Sequence, residues 1–324
     1  MTDRRVRLGV VGLQRSGRRL ARQFSAAANC QLAAIADRDW RVLHEVRQRY
    51  PQAKVCQSLD ELAADDTLDA IALATPGPTH AALARTAVLA GKHVYIQPPL
   101  TLSAAEVQEL AALAQQVGRK ILFGPLAGRD PVIESIQRQF DSGVLGVIHY
   151  VYCQQHSGTP RRQTLIPQQA GEDPCVARQI AMLLHLFAAE PEAISASGEP
   201  RGPEDGAGAI VVHLHFSRGM AQLRMLPGEP QNGGKITVVG SRRLLICDNL
   251  REVSSLRGFE PATVPCDGET PPLECETQQF IDWIRSNRLP RDDGLRTLRV
   301  LEQIDRQLSA AAAIAPVSIS RRVA

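Results

Sequence analysis

The stretch Val6-Arg-Leu-Gly9-Val-Val-Gly12-Leu13-Gln14-Arg15-Ser16-Gly17 decides the fold. Its first six residues form a short run rich in β-formers, and a helical pattern follows from Ser16. A glycine turn joins the two. Dinucleotide-binding turns follow G-x-G-x-x-G: the first glycine makes the tight turn, the second lets a pyrophosphate approach the backbone, and the third packs helix on strand. Gly12 and Gly17 take the first and third places, but the middle place holds Gln14, whose side chain crowds the approach of a phosphate. Asp37 ends the next strand, 20 residues past Gly17. A carboxylate there accepts hydrogen bonds from an adenosine ribose and repels a 2′-phosphate, which favours NAD over NADP. A plain strand-to-helix connection would explain the glycines alone. Strand, turn, helix and distal Asp37 together argue for dinucleotide binding.

The same alternation continues outward from this turn. Strands are expected at Val6–Val11, Gln31–Ala36, Ala70–Ala74, His93–Ile96 and Lys120–Phe123, with helices at Ser16–Ala27, Trp40–Tyr50, Thr79–Ala90 and Ser103–Val117. Ser103 with Glu106 three residues on is a capping-box pattern. Strands separated by helix-length segments imply βαβ units around a parallel sheet. After Pro125 the pattern changes. Helices are expected at Asp130–Ser142, Cys175–Phe187, Glu276–Ser286 and Asp293–Ala312, with strands at Gly146–Gln155, Ile210–Phe216, Gly219–Met225, Lys235–Val239 and Arg243–Cys247. The fold class is therefore α/β: a Rossmann domain over residues 1–124 and an α+β domain over 125–324 with an antiparallel sheet.

Composition narrows the possible functions. A chain of 324 residues with 44% hydrophobic and 22% charged residues is an ordinary globular chain with room for two cores. Only four of the 37 basic residues are lysine, yet 34 acidic residues offset them to a net +3, and no basic run interleaved with aromatics marks a nucleic-acid surface. The seven cysteines (30, 56, 153, 175, 247, 266 and 275) show no paired spacing, so they are read as free thiols and no metal site is expected. With neither a signal-peptide pattern nor a long apolar run, the expected location is the cytoplasm, with no membrane contact.

Three further segments are specific: Ser58-Leu-Asp-Glu-Leu, Asp69-Ala-Ile-Ala-Leu-Ala-Thr75-Pro76-Gly-Pro-Thr79-His80, and Ala90-Gly-Lys92-His93-Val-Tyr95-Ile-Gln97-Pro98-Pro99-Leu100. Together they resemble the glucose–fructose oxidoreductase / inositol dehydrogenase (Gfo/Idh/MocA) family. Phe140-Asp-Ser-Gly-Val-Leu-Gly-Val-Ile, Ile236-Thr-Val-Val-Gly-Ser and Asp293-Gly-Leu-Arg-Thr-Leu-Arg-Val-Leu-Glu extend the likeness over nearly the whole chain. The resemblance implies an NAD(P)-binding oxidoreductase fold, an N-terminal Rossmann domain with a parallel sheet plus a second domain built on a large open antiparallel sheet, with a small-molecule ligand between the domains. It also implies a homo-oligomer, dimer or tetramer, built through the second sheet. The expected cofactor contacts are Gly12, Leu13, Gln14, Arg15, Ser16, Gly17, Asp37, Arg38, Thr75, Pro76, His80 and Gln97.

The departures from the family pattern bear on chemistry. Where active members carry Glu-Lys-Pro, this chain has Gln97-Pro98-Pro99. Where they carry Asp-x-Gly-x-His-x-x-Asp, it has Cys175, Ala177, Gln179 and Met182. Of an arginine-rich stretch, only Arg129 remains. Neither proline nor glutamine can take a proton from an alcohol as hydride leaves. No catalytic residue is therefore assigned, and the expected function is a ligand-binding or regulatory member of the family; the alternative is an active dehydrogenase of a sugar or polyol with relocated groups. Each candidate replacement has a plainer role. His80 is read as capping the helix that follows it, His185 as a core histidine, and His213 and His215 as polar residues on a sheet face. Lys92 is read as exposed in its turn, Tyr95 as core, and Cys175 as a buried thiol.

Overall fold

A computed structural model describes residues 4–97, 102–124, 131–157, 175–198, 209–227, 234–248, 252–257, 260–264, 272–286 and 293–313. In it the first third of the chain forms a parallel sheet of β1 (Val6–Val11), β2 (Cys30–Ala36), β3 (Lys54–Cys56), β4 (Ala70–Leu73), β5 (His93–Ile96) and β6 (Ile121–Phe123). Its order, β3-β2-β1-β4-β5-β6, reverses direction between β1 and β4. Around it lie α1 (Arg15–Ala26), α2 (Trp40–Arg49), α3 (Leu59–Ala63), α4 (His80–Leu89) and α5 (Ala104–Gln116). The expected strands and helices are all present, and the short β3 and α3 are additions that no periodicity announced.

Local chemistry sets where these helices begin. Asp39 caps α2 by accepting from the Arg41 N–H at 2.9 Å, and Ser58 caps α3 by accepting from Glu61. Ser103 and Glu106 form the anticipated capping box on α5. Such caps satisfy N–H groups that have no partner within the helix. Lys92 corrects its expectation: it is 3% exposed, and its ammonium donates to the carbonyls of Asp65 (2.6 Å) and Leu68 (3.1 Å). Two carbonyls of the Asp65–Leu68 turn replace the water that an exposed lysine would bind.

The second sheet contains β7 (Ile148–Ser157), β8 (Ala193–Gly198), β9 (Ile210–Phe216), β10 (Gly219–Pro227), β11 (Gly234–Gly240), β12 (Leu244–Asp248), β13 (Glu252–Arg257) and β14 (Glu260–Val264). Their order is β14-β13-β12-β11-β7-β10-β9-β8. The sheet is mixed rather than wholly antiparallel, because β7 and β10 run parallel while its other pairs are antiparallel. The chain leaves β7, crosses through α7 (Cys175–Phe187) and returns by β8 and β9, so β10 reaches β7 in the same direction. One face packs on α6 (Pro131–Asp141), α7 and part of α9 (Asp293–Ala313), with Val151, Cys153, Leu214, Leu223 and Val238 turned inward. His213 and His215 lie on the opposite face, as expected for sheet-face polar residues.

The late helices tie the two parts together. Phe280 and Ile281 of α8 (Pro272–Arg285) join the core around β1 and α1, where Phe280, Phe24 and Tyr95 meet ring to ring at 5.6–6.2 Å. Tyr95 is fully buried, as expected, and its hydroxyl donates to Glu276 at 3.1 Å. Helix α9 serves both cores: Leu295 and Leu298 enter the first, while Val300, Leu301, Ile304 and Leu308 enter the second.

The β5–β6 junction carries a pH dependence. His93 Nδ1 accepts from the Lys120 N–H at 2.9 Å, and burial, reinforced by nearby Arg119 and Lys120, lowers the imidazole pKa from 6.5 to about 4. Protonating Nδ1 would remove the acceptor. Because the folded pKa lies below the unfolded one, this contribution to stability is complete above pH 6.5, falls as pH drops toward about 4 and is gone below that. Within that window it declines by about 1.4 kcal/mol per pH unit. Urea midpoints at pH 7 and 4.5 are expected to fall less in His93→Gln than in the natural protein. Equal losses would contradict this assignment.

Candidate active site

The site begins at the carboxyl ends of β2, β1, β4 and β5, which place Asp37, Gly12, Thr75 and Gln97 in one row. The row spans three strand spacings, about 14 Å. Its centre falls between β1 and β4, the point where the order of an open α/β sheet reverses and its connections diverge to leave a crevice.

Gly12 adopts φ +85°, and a Cβ there would lie 2.9 Å from the backbone of Ala74. At Gly17 a Cβ would stand 1.7 Å from the Gly12 carbonyl oxygen, so α1 approaches β1 more closely than any side chain permits. The first and third glycines of the motif therefore perform the roles their spacing suggests. Gln14 has φ −67°, which any residue adopts, so its backbone has no need of glycine. Its side chain is exposed, as are those of Arg15 and Ser16. In contrast to α2, α3 and α5, α1 begins without a side-chain cap or an acidic residue in its first turn. Its initial N–H groups, with the positive end of the helix dipole, make a suitable seat for an anion.

Asp37 has a second task that sequence did not reveal. Its two oxygens accept the Leu13 N–H at 2.6 Å and the Asp39 N–H at 2.9 Å, tying β2 to the glycine turn. A carboxylate has about four acceptor positions, so capacity remains for a ribose hydroxyl. Arg18 supports the turn from the other side, donating to the Leu13 carbonyl at 3.1 Å and pairing with Glu45 at 2.6 Å. Arg38 is exposed beside Asp37.

On the other side of the reversal point, Thr75 Oγ1 accepts from Thr79 at 2.9 Å. His80 is 1% exposed, and its Nε2 lies 2.8 Å from the Thr75 carbonyl. A carbonyl only accepts, so Nε2 carries the proton and Nδ1 is left as a bare acceptor with no partner among the described residues. His80 therefore pins the loop before α4 rather than capping the helix, which corrects its sequence assignment. Burial lowers its pKa and the Thr75 contact opposes that shift in part. Gln97 is held through its own N–H to the Leu73 carbonyl at 3.0 Å, while its side-chain Oε1 is buried without a partner among the described residues.

In the second domain, Gln179 is buried on α7 and donates through Nε2 to Gln155 Oε1 on β7 at 2.5 Å. Met182 is buried on the same helix, and His185 is half-buried three residues further on. Pro76 sits before the short turn leading to α4. Pro98, Arg129 and the Cys175 side chain lie outside the described residues. Gln155 and Glu276 escaped the sequence reading: one amide in a strand and one carboxylate in a helix carry no local signal, and only folding gives them their partners.

A parallel sheet of this order, with an open helix start at its reversal point, defines an NAD(P)-binding Rossmann oxidoreductase fold. The Gfo/Idh/MocA pattern, described as "Oxidoreductase family, NAD-binding Rossmann fold", matches residues 6–124. The chain is 24% identical over 260 residues to the myo-inositol 2-dehydrogenase of Thermotoga maritima, covering 77% of each chain. With the 1-carboxy-3-chloro-3,4-dihydroxycyclohexa-1,5-diene dehydrogenase of Comamonas testosteroni it shares 27% identity over 160 residues, 48% of this chain and 40% of that one. The chain thus spans about two fifths of the length of that relative. The solved UDP-N-acetylglucosamine 3-dehydrogenase of Acidithiobacillus ferrooxidans shares the fold, with a TM-score of 0.81 at 23% identity over 95% of this chain and 99% of that one. Among the described residues no helix is long and apolar enough to cross a membrane.

The Gly12–Gly17 contact gives a direct test. Gly17→Ala forces α1 away from β1 and is expected to cost about 3 kcal/mol or more, at the upper end of what overpacking does. The thermal midpoint should fall by several degrees or soluble protein be lost, whereas Gln14→Ala, at an exposed position, should melt with the natural protein. A Gly17→Ala protein of unchanged midpoint would show that the approach is looser than described.

Proposed function

We propose that this chain binds NAD(P) along the row from Asp37 to Gln97 and holds a small hydroxyl-bearing ligand between its domains, without the acid–base pair that ordinary alcohol oxidation requires. The uncapped start of α1 between Gly12 and Gly17 supports cofactor binding, and the carboxylate of Asp37 favours NAD. A bound nicotinamide would supply the hydride acceptor. The observation that carries the second half is the pair Gln97 and Gln179, whose buried carbonyl oxygens have no partner in the described residues. Both are acceptors for a ligand's hydroxyl; neither can remove its proton at neutral pH. Ligand binding and signalling through the assembly fit this site better than turnover. A cytoplasmic location accords with this reading.

A second reading rests on one specific observation. His80 is a neutral imidazole with a free Nδ1 lone pair, and the named relatives are dehydrogenases. If the chain oxidises an alcohol, His80 is the group through which the proton leaves. Steady-state assays over inositols, hexoses and their acids with NAD and NADP distinguish the two. The first reading expects no turnover above background in the natural protein and measurable turnover in Pro98→Lys/Gln179→His. Robust natural activity that is lost in His80→Gln would establish the second instead.

The outer face of the second sheet supports assembly with another copy of the chain. Met220, Tyr150, Val239 and Leu244 lie in register across four neighbouring strands, and Gln222, Tyr152, Thr237 and Ile246 form the next row. The first row is wholly apolar and aromatic, the second mixes these with Gln222 and Thr237, and all eight residues are half-buried; apolar surface of this kind is costly to leave in water. Sedimentation at micromolar concentration is expected to give a dimer or tetramer, with Val239→Glu shifting it toward monomer. A monomeric natural protein would refute this.

A further inference from the structure

The buried amide pair in the second domain is more ordered than packing alone requires. Gln155 turns inward from β7 and Gln179 turns toward it from α7, and both are at least nine-tenths buried. Gly234 on β11 stands opposite Gln155 in the ladder, and a Cβ at Gly234 would lie 2.6 Å from Gln155 Oε1. The absence of a side chain at Gly234 thus makes the space that the Gln155 carbonyl occupies. That carbonyl accepts from Gln179 Nε2, and the contact fixes which way the Gln179 amide faces. The opposite end of the amide, Gln179 Oε1, is shielded from water and has no partner among the described residues. A buried acceptor left without a donor is destabilising, so an external donor at that point restores what the fold leaves unsatisfied.

We propose that Gln155 is a positioning residue: by accepting from Gln179 Nε2 with the carbonyl that Gly234 makes room for, it presents the Gln179 carbonyl to a hydroxyl donor of a ligand seated between the domains. The assignment rests on the reading that α7 faces the ligand cleft. It adds a specificity rule, since the carbonyl favours neutral ligands rich in hydroxyls and disfavours a carboxylate or phosphate at that point. Gln155→Glu keeps an acceptor for Nε2, and Gln155→Leu removes it.

The test is calorimetric titration of the full chain with myo-inositol, with and without saturating NAD. Gln155→Leu is expected to weaken inositol binding about tenfold, the effect of losing one oriented hydrogen bond, while Gln155→Glu stays within about threefold of the natural protein. In a Gln179→Leu background, Gln155→Leu should add nothing, because it acts through Gln179. A purely structural role predicts instead that the two losses add, or that Gln155→Leu changes melting but not affinity; either result overturns the proposal. If Gln155→Leu does not fold, Gln155→Met replaces it in the same comparison. Failure of the natural protein to bind myo-inositol in either titration overturns the hydroxyl-donor assignment. Failure to bind NAD alone counts against the cofactor reading and leaves the inositol comparison intact.

Discussion

The Gly12 carbonyl resting against the Cα of Gly17 is the contact on which the rest of the first domain depends. Because no side chain intervenes, α1 starts directly above the carboxyl end of β1, with its polar N–H groups beside the reversal point of the sheet. Asp37 then draws β2 to the same turn through the Leu13 N–H. The consequence is a rigid rim whose charges and donors are set by backbone geometry. That explains how Gln14 is accommodated in a glycine's place: the backbone already has a conformation open to any residue, and the change alters only the surface of the rim.

A second constraint is the sharing of α9. Its early residues complete the core of one domain and its later residues the core of the other, so the spacing of the two is fixed by one continuous helix. Polar contacts reinforce it at both ends: Glu302 accepts from the Ala104 N–H at the start of α5, and Gln307 bonds both Ile194 and Ala196 on β8. Helix α8 makes a similar tie, with Lys120 donating to carbonyls at its carboxyl end and Glu276 held by Tyr95.

Much of this architecture was legible in the sequence. The Gly12–Gly17 turn, the alternating strands and the Ser103–Glu106 box act through neighbours only a few residues away, and each formed where expected. Strand β3 was missed because three residues cannot show a period. The parallel pairing of β7 with β10 was missed because order within a sheet depends on the path of distant connections. At the site, glycine spacing and the placement of Asp37 were readable, whereas the Leu13 contact that Asp37 also makes was not. Lys92 and His80 show the same limit: one found two carbonyls in a distant turn and the other a carbonyl five residues back, partners that residue type alone does not name.

Gln307 has a consequence for how the molecule is made. Strand β8 ends its sheet, and two of its backbone groups are taken by the amide of Gln307, which accepts from the Ala196 N–H at 2.7 Å and donates to the Ile194 carbonyl at 2.8 Å. An unpaired edge is a template for another chain. During synthesis every strand of the sheet emerges before α9 does, so the edge is bare until the helix follows. Docking of the last helix therefore covers part of an edge that the order of synthesis leaves open until the end.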